Sequence, residues 1–80
     1  MNNYKLYTTK GCIVCEKVKR LIKSQQLDVE IIEAEDKEIA KFREMNIRSF
    51  PILLINQEKY IHGMEVGHYI SMNIETLKRK

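Results

Sequence analysis

The order of apolar and polar residues along the chain predicts alternating strands and helices. Residues Tyr4 to Thr8 alternate apolar and polar side chains and are rich in aromatic and β-branched types, which is typical of a strand. After a turn at residues 9–11, apolar residues recur at helical spacing and most basic residues face outward. This pattern predicts a helix from about Cys12 to Ser24, followed by a second strand from Val29 to Glu33.

The middle of the chain predicts a second helix and a buried strand. Asp36 is typical of a helix cap or first turn, and Ile39, Phe42 and Met45 recur on one face, with Met45 expected in the core. The sole proline, Pro51, then opens an apolar run that extends to Ile55. Continuous apolar character indicates a strand buried on both faces, so we expect this run at the centre of the sheet.

The last third predicts a hairpin and a covering helix. Lys59 to His62 alternates apolar and polar residues and follows the turn at residues 56–58, which favours pairing with the preceding strand. Gly63 ends that strand. Apolar positions from Val66 to Leu77 then predict an amphipathic helix, whose basic end at residues 78–80 complements the helix dipole.

The resulting element order is strand, helix, strand, helix, strand, strand, helix. It predicts an α/β fold with a four-stranded mixed sheet and three helices on its faces. We find no internal repeat, low-complexity tract or linker composition, so residues 1–80 are expected to form a single domain.

Composition excludes several classes of protein. No apolar run approaches the roughly 20 residues of a membrane helix, and the N-terminus has no charged region followed by an apolar one, so we expect a cytoplasmic protein and no membrane partner. A net charge of +3 is too small to indicate nucleic-acid binding. We expect a monomer, because this fold needs no partner to close its core.

Charge is nevertheless unevenly distributed. Residues 1–25 carry six Lys/Arg against one Glu, whereas residues 28–44 carry seven Asp/Glu against three Lys/Arg. A solvated helix face is the favoured interpretation of the basic stretch, with a partner-facing patch as the alternative.

The two cysteines carry the most information about function. Cys12 and Cys15 form a C-x-x-C pair between the first strand and the first helix. Two thiols are too few for a structural zinc site, and a disulfide that closes so small a loop stabilises little. In a reducing compartment such a pair is more often catalytic or metal-binding than structural.

Position assigns different roles to the two thiols. A sulfur at the first turn of a helix faces unpaired backbone N–H groups and the positive end of the dipole, and Lys10 is close in sequence. These features favour a thiolate at Cys12, which we expect to attack the substrate. Cys15, one turn later, is expected to resolve the resulting mixed disulfide.

Two alternatives remain open for this pair. In the first alternative, the two cysteines are small apolar residues with no chemical role. In the other they are half of a zinc or iron–sulfur site, whose remaining ligands come from His62, His68, a second chain or a small thiol. Each histidine alone is more typical of a solvated or packed side chain than of a ligand.

A family resemblance extends over nearly the whole chain. The segment Tyr7–Cys15, the later Ser49-Phe50-Pro51 and Gly63 after the hairpin are similar to the glutaredoxin branch of the thioredoxin fold. The resemblance implies a thiol-disulfide oxidoreductase without a bound cofactor, with glutathione as reductant or co-substrate. It also implies that Pro51 is a cis-proline facing the cysteines and that the backbone of Phe50 binds an extended substrate.

Departures from the family pattern leave the reductant open. Dithiol glutaredoxins usually carry Pro-Tyr where this chain has Ile13-Val14, and residues 63–67 lack the aspartates that help to hold glutathione. Their basic residue stands where this chain has Thr9. The chain is also similar, in part, to the small redoxins that thioredoxin reductase recharges and that donate electrons to ribonucleotide reductase.

Further side chains are candidate substrate contacts. Lys10 and Arg48 flank the expected groove, where either can contact a carboxylate of glutathione or of a protein. Ile13 and Val14 are expected to be exposed beside the reactive sulfur and to suit docking on a protein surface, against the alternative of an unremarkable exposed pair. The resemblance adds Gly63 and Met64 to this set. Three other residues are assigned to structure, as core or helix surface: Tyr7, Tyr69 and Arg43.

Overall fold

A four-stranded mixed sheet organises the computed structural model, which describes residues 3–78. The strands lie in the order β2-β1-β3-β4, with β1 parallel to β2 and antiparallel to β3, and with β3 and β4 forming a hairpin. The predicted α/β fold and the central position of β3 are confirmed. The elements are β1 (Tyr4–Thr8), α1 (Ile13–Ser24), β2 (Glu30–Glu33), α2 (Asp36–Glu44), β3 (Ile52–Ile55), β4 (Lys59–His62), α3 (Met64–Met72) and α4 (Ile74–Leu77).

Side-chain alternation on the two central strands divides the core between the sheet faces. Leu6 of β1 pairs with Leu53 of β3, and both belong to the larger core cluster, together with residues of α1, α3 and α4. The next pair, Tyr7 and Ile52, belongs to a second cluster around Phe42 of α2. Because successive strand residues point to opposite faces, β3 is buried on both sides.

The predicted C-terminal helix is two helices, so the prediction of three helices is wrong by one. The break is at Asn73, whose φ of −124° and ψ of 25° are not helical. The Asn73 side-chain amide donates to the Tyr69 carbonyl at 2.8 Å, and asparagine side chains that bond nearby backbone in this way compete with helical bonds. Two residues of the predicted basic end, Arg79 and Lys80, lie outside the described residues.

Met45 is exposed, which corrects its assignment to the core. Helix α2 ends at Glu44, and Asn46 then adopts a left-handed φ of 63°, which turns the chain. Ile47, rather than Met45, packs with Phe42 and Ile52 after this turn, while 39% of Met45 remains exposed.

Two element boundaries differ by one residue from the prediction. Cys12 caps α1 rather than starting it, and Val29 is buried but precedes β2. Among residues 3–78, no helix has both the length and the apolar character that crossing a membrane requires.

Candidate active site

Cys12 occupies the N-cap of α1, at the end of the loop that leaves β1. Gly11 adopts a left-handed φ of 75°, which turns the chain, and Cys12 is extended before the helix begins. The Cys12 Sγ accepts a hydrogen bond from the backbone N–H of Cys15 at 3.1 Å. The sulfur thus satisfies one of the N–H groups that the first helical turn leaves unpaired.

Cys15 is the inner member of the pair. It is fully buried, at 0% exposure, whereas Cys12 is partly exposed. Burial raises the pKa of the Cys15 thiol to about 11, and the hydrogen bond with Cys12 acts in the same direction. A backbone hydrogen bond from Thr9 and the charge of Lys19 oppose this pKa shift without reversing it.

Alkylation should distinguish the two cysteines. In the reduced, folded protein we expect iodoacetamide to modify Cys12 and to spare Cys15, from neutral pH up to about pH 9. A raised pKa keeps the Cys15 thiol protonated to higher pH, and burial blocks access to its sulfur. Peptide mapping by mass spectrometry measures both sites, and the C12S variant should take up no label. Comparable labelling of Cys15 would contradict this geometry.

The loop before β3 lies against Cys12. The Phe50–Pro51 peptide bond is cis, as the resemblance implies, and Pro51 is buried at the start of the strand. The Cys12 thiol donates to the Phe50 carbonyl at 3.8 Å, a distance typical of weak sulfur hydrogen bonds. The tertiary fold therefore brings the predicted Phe50-Pro51 segment to the reactive cysteine.

Gly63 contacts the loop before β3 at Pro51 and Ser49. Its N–H donates to the Pro51 carbonyl at 2.9 Å, and its φ of 69° belongs to the left-handed region. A Cβ added at Gly63 would lie 3.3 Å from the Ser49 Cβ. The sequence indicates Ser49 only as part of the Ser49-Phe50-Pro51 motif, because no local pattern reveals its close contact with Gly63.

Two glycines allow a matched test of this contact. We expect G63A to destabilise the protein by about 1–3 kcal/mol, because alanine is strained at this φ and crowds Ser49. At Gly67, within α3, a new Cβ meets only Val18 at an ordinary 3.8 Å, so G67A is expected to stabilise by up to about 1 kcal/mol through helix propensity.

Urea unfolding of both reduced variants measures this difference. Equal stability of G63A and the unsubstituted protein would show that Gly63 does not restrain the loop.

Comparison with known proteins decides the family. The glutaredoxin family model matches residues 5–61, which include both cysteines, the Phe50–Pro51 bond, most of β1 and all of β2 and β3. The chain belongs to the glutaredoxin family. Membership implies a thiol oxidoreductase, and it agrees with the predicted resemblance. No curated protein matches the chain.

Solved structures share the thioredoxin-like fold of this glutaredoxin. A Nu-class GST from Haemonchus contortus aligns with a TM-score of 0.73 and 19% identity, over 94% of this chain and 37% of the GST. This chain thus spans little more than a third of the GST. Wheat glutaredoxin aligns with a TM-score of 0.62 and 24% identity, over 86% of this chain and 70% of its own. At these identities the likeness shows the fold alone.

The apolar candidate contacts of this glutaredoxin differ in their exposure. Ile13, directly after Cys12, is 73% exposed, and Met64, directly after Gly63, is 83% exposed. Val14 is half-buried and packs against the larger core cluster, so the expectation that it is exposed like Ile13 is wrong. The difference arises because Val14 lies one turn before the buried Val18 and packs, like it, with the larger core cluster.

The basic candidates are both exposed. Arg48 lies in the loop before Phe50. Lys10 lines a shallow pocket of about 400 Å³, and the acidic residues Glu33, Glu35 and Asp36 line the same pocket. Their roles as substrate contacts stay predictions, and the acidic surroundings of Lys10 were not evident in the sequence because β2 and α2 bring them there.

Three residues without a predicted chemical role lie where the sequence places them. Tyr7 and Tyr69 are half-buried and pack against the core clusters, and Arg43 is exposed on α2, as predicted. Within the described range 3–78, no group of three or more His, Cys, Asp and Glu side chains is placed to hold a metal ion.

Proposed function

We propose that this glutaredoxin is a dithiol oxidoreductase that reduces protein disulfides or glutathione mixed disulfides through Cys12 and Cys15. One observation carries the proposal. The partly exposed sulfur of Cys12, at the start of α1, accepts a hydrogen bond from the backbone N–H of the fully buried Cys15. The same sulfur lies 3.8 Å from the Phe50 carbonyl oxygen. An accessible sulfur with a protected second thiol one turn away suits a two-step exchange.

The reaction balances as a two-electron transfer. The Cys12 thiolate attacks one sulfur of the substrate disulfide, whose S–S bond breaks as a protein–substrate disulfide forms. Cys15 then attacks the Cys12 sulfur, so that the Cys12–Cys15 disulfide forms and the second substrate thiol leaves. The two thiol protons of the protein end on the two substrate sulfurs. A thiol or dithiol reductant must afterwards return two electrons to the protein.

Two reductants are candidates for that last step, both available in the cytoplasm, where we place the protein. Glutathione is the reductant that the family resemblance implies. The surroundings of Lys10 favour the second candidate, thioredoxin reductase, because Glu33, Glu35 and Asp36 line the same pocket and give it negative charge, which disfavours the carboxylates of glutathione. In that case the protein donates electrons to an enzyme that acquires a disulfide during its catalytic cycle, such as ribonucleotide reductase.

Parallel coupled assays distinguish the reductants. NADPH oxidation is followed with hydroxyethyl disulfide as substrate, once with glutathione and glutathione reductase and once with thioredoxin reductase alone. Turnover only with glutathione would identify a glutathione-dependent enzyme, and turnover only with thioredoxin reductase would identify a donor of the second kind. Absence of turnover in both, together with zinc or iron in the purified protein, would instead favour a metal-binding module.

A further inference from the structure

A groove lies between α3 and α1, the helix that Cys12 caps. Its volume is about 320 Å³, at the lower end of the range of ligand pockets, and its lining is mainly apolar. It is open because Gly67 contributes no side chain to the face of α3 that approaches Val18. The lining residues are Val14, Lys17, Val18, Leu21, Met64, Gly67 and Ser71.

Two residues that line the groove are close in sequence to the active site. Val14 lies in the first turn of α1, between the two cysteines, and Met64 follows the Gly63 that bonds the Pro51 carbonyl. Cys12 caps the same helix and contacts the Phe50 carbonyl. A polypeptide that places its disulfide at Cys12 therefore meets the exposed Ile13 side chain and, along the same helix, the apolar groove.

The charge at the groove has one sign. Lys17 is its charged lining residue. Lys19, two positions later, pairs with Glu16 at 2.9 Å, whereas Lys17 has no carboxylate within ion-pair distance among residues 3–78. An unpaired ammonium group beside an apolar surface favours a ligand that brings both an apolar side chain and a carboxylate.

We propose that the α1–α3 groove selects protein substrates, by holding an apolar side chain and pairing Lys17 with an aspartate or glutamate near the substrate disulfide. The occupant is an extended segment of the substrate protein. This inference rests on the proposed disulfide reductase function and specifies the chemistry of its protein partner.

Three synthetic peptides test the proposal. Each contains one disulfide, flanked on both sides by leucine and aspartate, by leucine and lysine, or by glycine and aspartate. The measured quantity is kcat/KM for each peptide, divided by kcat/KM for hydroxyethyl disulfide on the same protein variant. We expect aspartate to be preferred over lysine by about two- to fivefold, as for an exposed ion pair, and leucine over glycine by about tenfold.

Charge reversal on α1 supplies the matched variants. K17E is expected to invert the preference, so that the leucine–lysine peptide becomes the better substrate. R20E makes the same charge change on the same helix, outside the groove lining, and is expected to keep the preference for aspartate.

The outcomes separate the two proposals. Normal reduction of hydroxyethyl disulfide without discrimination among the peptides, or equal effects of K17E and R20E, would overturn the groove alone. Failure of the unsubstituted protein to reduce hydroxyethyl disulfide would overturn the proposed function and the groove with it.

Discussion

Replacing Cys12 by serine is expected to reduce disulfide reductase activity to the background rate measured without the protein. Cys12 is the accessible thiol at the helix N-terminus, and a serine hydroxyl neither ionises near neutral pH nor attacks a disulfide. Because Cys15 is fully buried and its pKa is raised to about 11, it is not expected to replace Cys12 as the attacking thiol. The coupled NADPH assay with hydroxyethyl disulfide measures the loss.

The C15S variant is the matched control for this prediction. It keeps the attacking thiol but lacks the resolving one, so we expect a protein–substrate mixed disulfide to accumulate and to be visible by intact mass. Turnover in which glutathione itself resolves that intermediate is expected to survive. Equal full activity of C12S and C15S would contradict the assigned roles.

Replacing Phe42 by alanine is expected to destabilise the protein by about 3–5 kcal/mol. Phe42 is buried at the centre of an aromatic cluster and makes edge-to-face contacts with Tyr7, Phe50 and Tyr60 at centroid distances of 5.1, 6.1 and 5.9 Å. Such pairs add about 0.5–1.5 kcal/mol to area burial. Since small domains are stable by only about 5–15 kcal/mol, this loss is a large share of the total.

The effect should also reach the active site, because Phe50 supplies the carbonyl that contacts Cys12. Urea unfolding measures the stability of F42A, and the coupled assay at low temperature measures the activity of the fraction that remains folded. F42L keeps most of the side-chain volume and is expected to lose less on both measures. A loss below about 1 kcal/mol in F42A would show that the cluster is not a supporting element of the loop.

Much of the fold is predictable because its signals are local. The alternation at Tyr4–Thr8, the apolar run Ile52–Ile55 and the C-x-x-C pair at a strand-to-helix junction each depend on residues close in sequence. The same holds for the placement of Cys12 at a helix start, where the structure gives its sulfur the N–H of Cys15 as a partner.

Two errors arise from local backbone features that the apolar pattern does not show. Met45 fits the apolar face of α2, but the left-handed turn at Asn46 gives its place to Ile47. Apolar residues recur at helical spacing on both sides of Asn73, yet Asn73 interrupts the predicted last helix through a bond to the Tyr69 carbonyl. The acidic residues around Lys10 and the groove beside Lys17 depend on packing between separate elements, so no local pattern indicates them.

The central claim is that Cys12 and Cys15 form a reversible, redox-active disulfide. A redox titration tests it most directly: the protein is equilibrated in thiol-disulfide buffers, quenched with acid, alkylated and weighed by mass spectrometry. We expect one two-electron transition between about −300 and −150 mV, from two alkylated thiols to an intramolecular disulfide. A pair that keeps both thiols across this whole range would contradict the account.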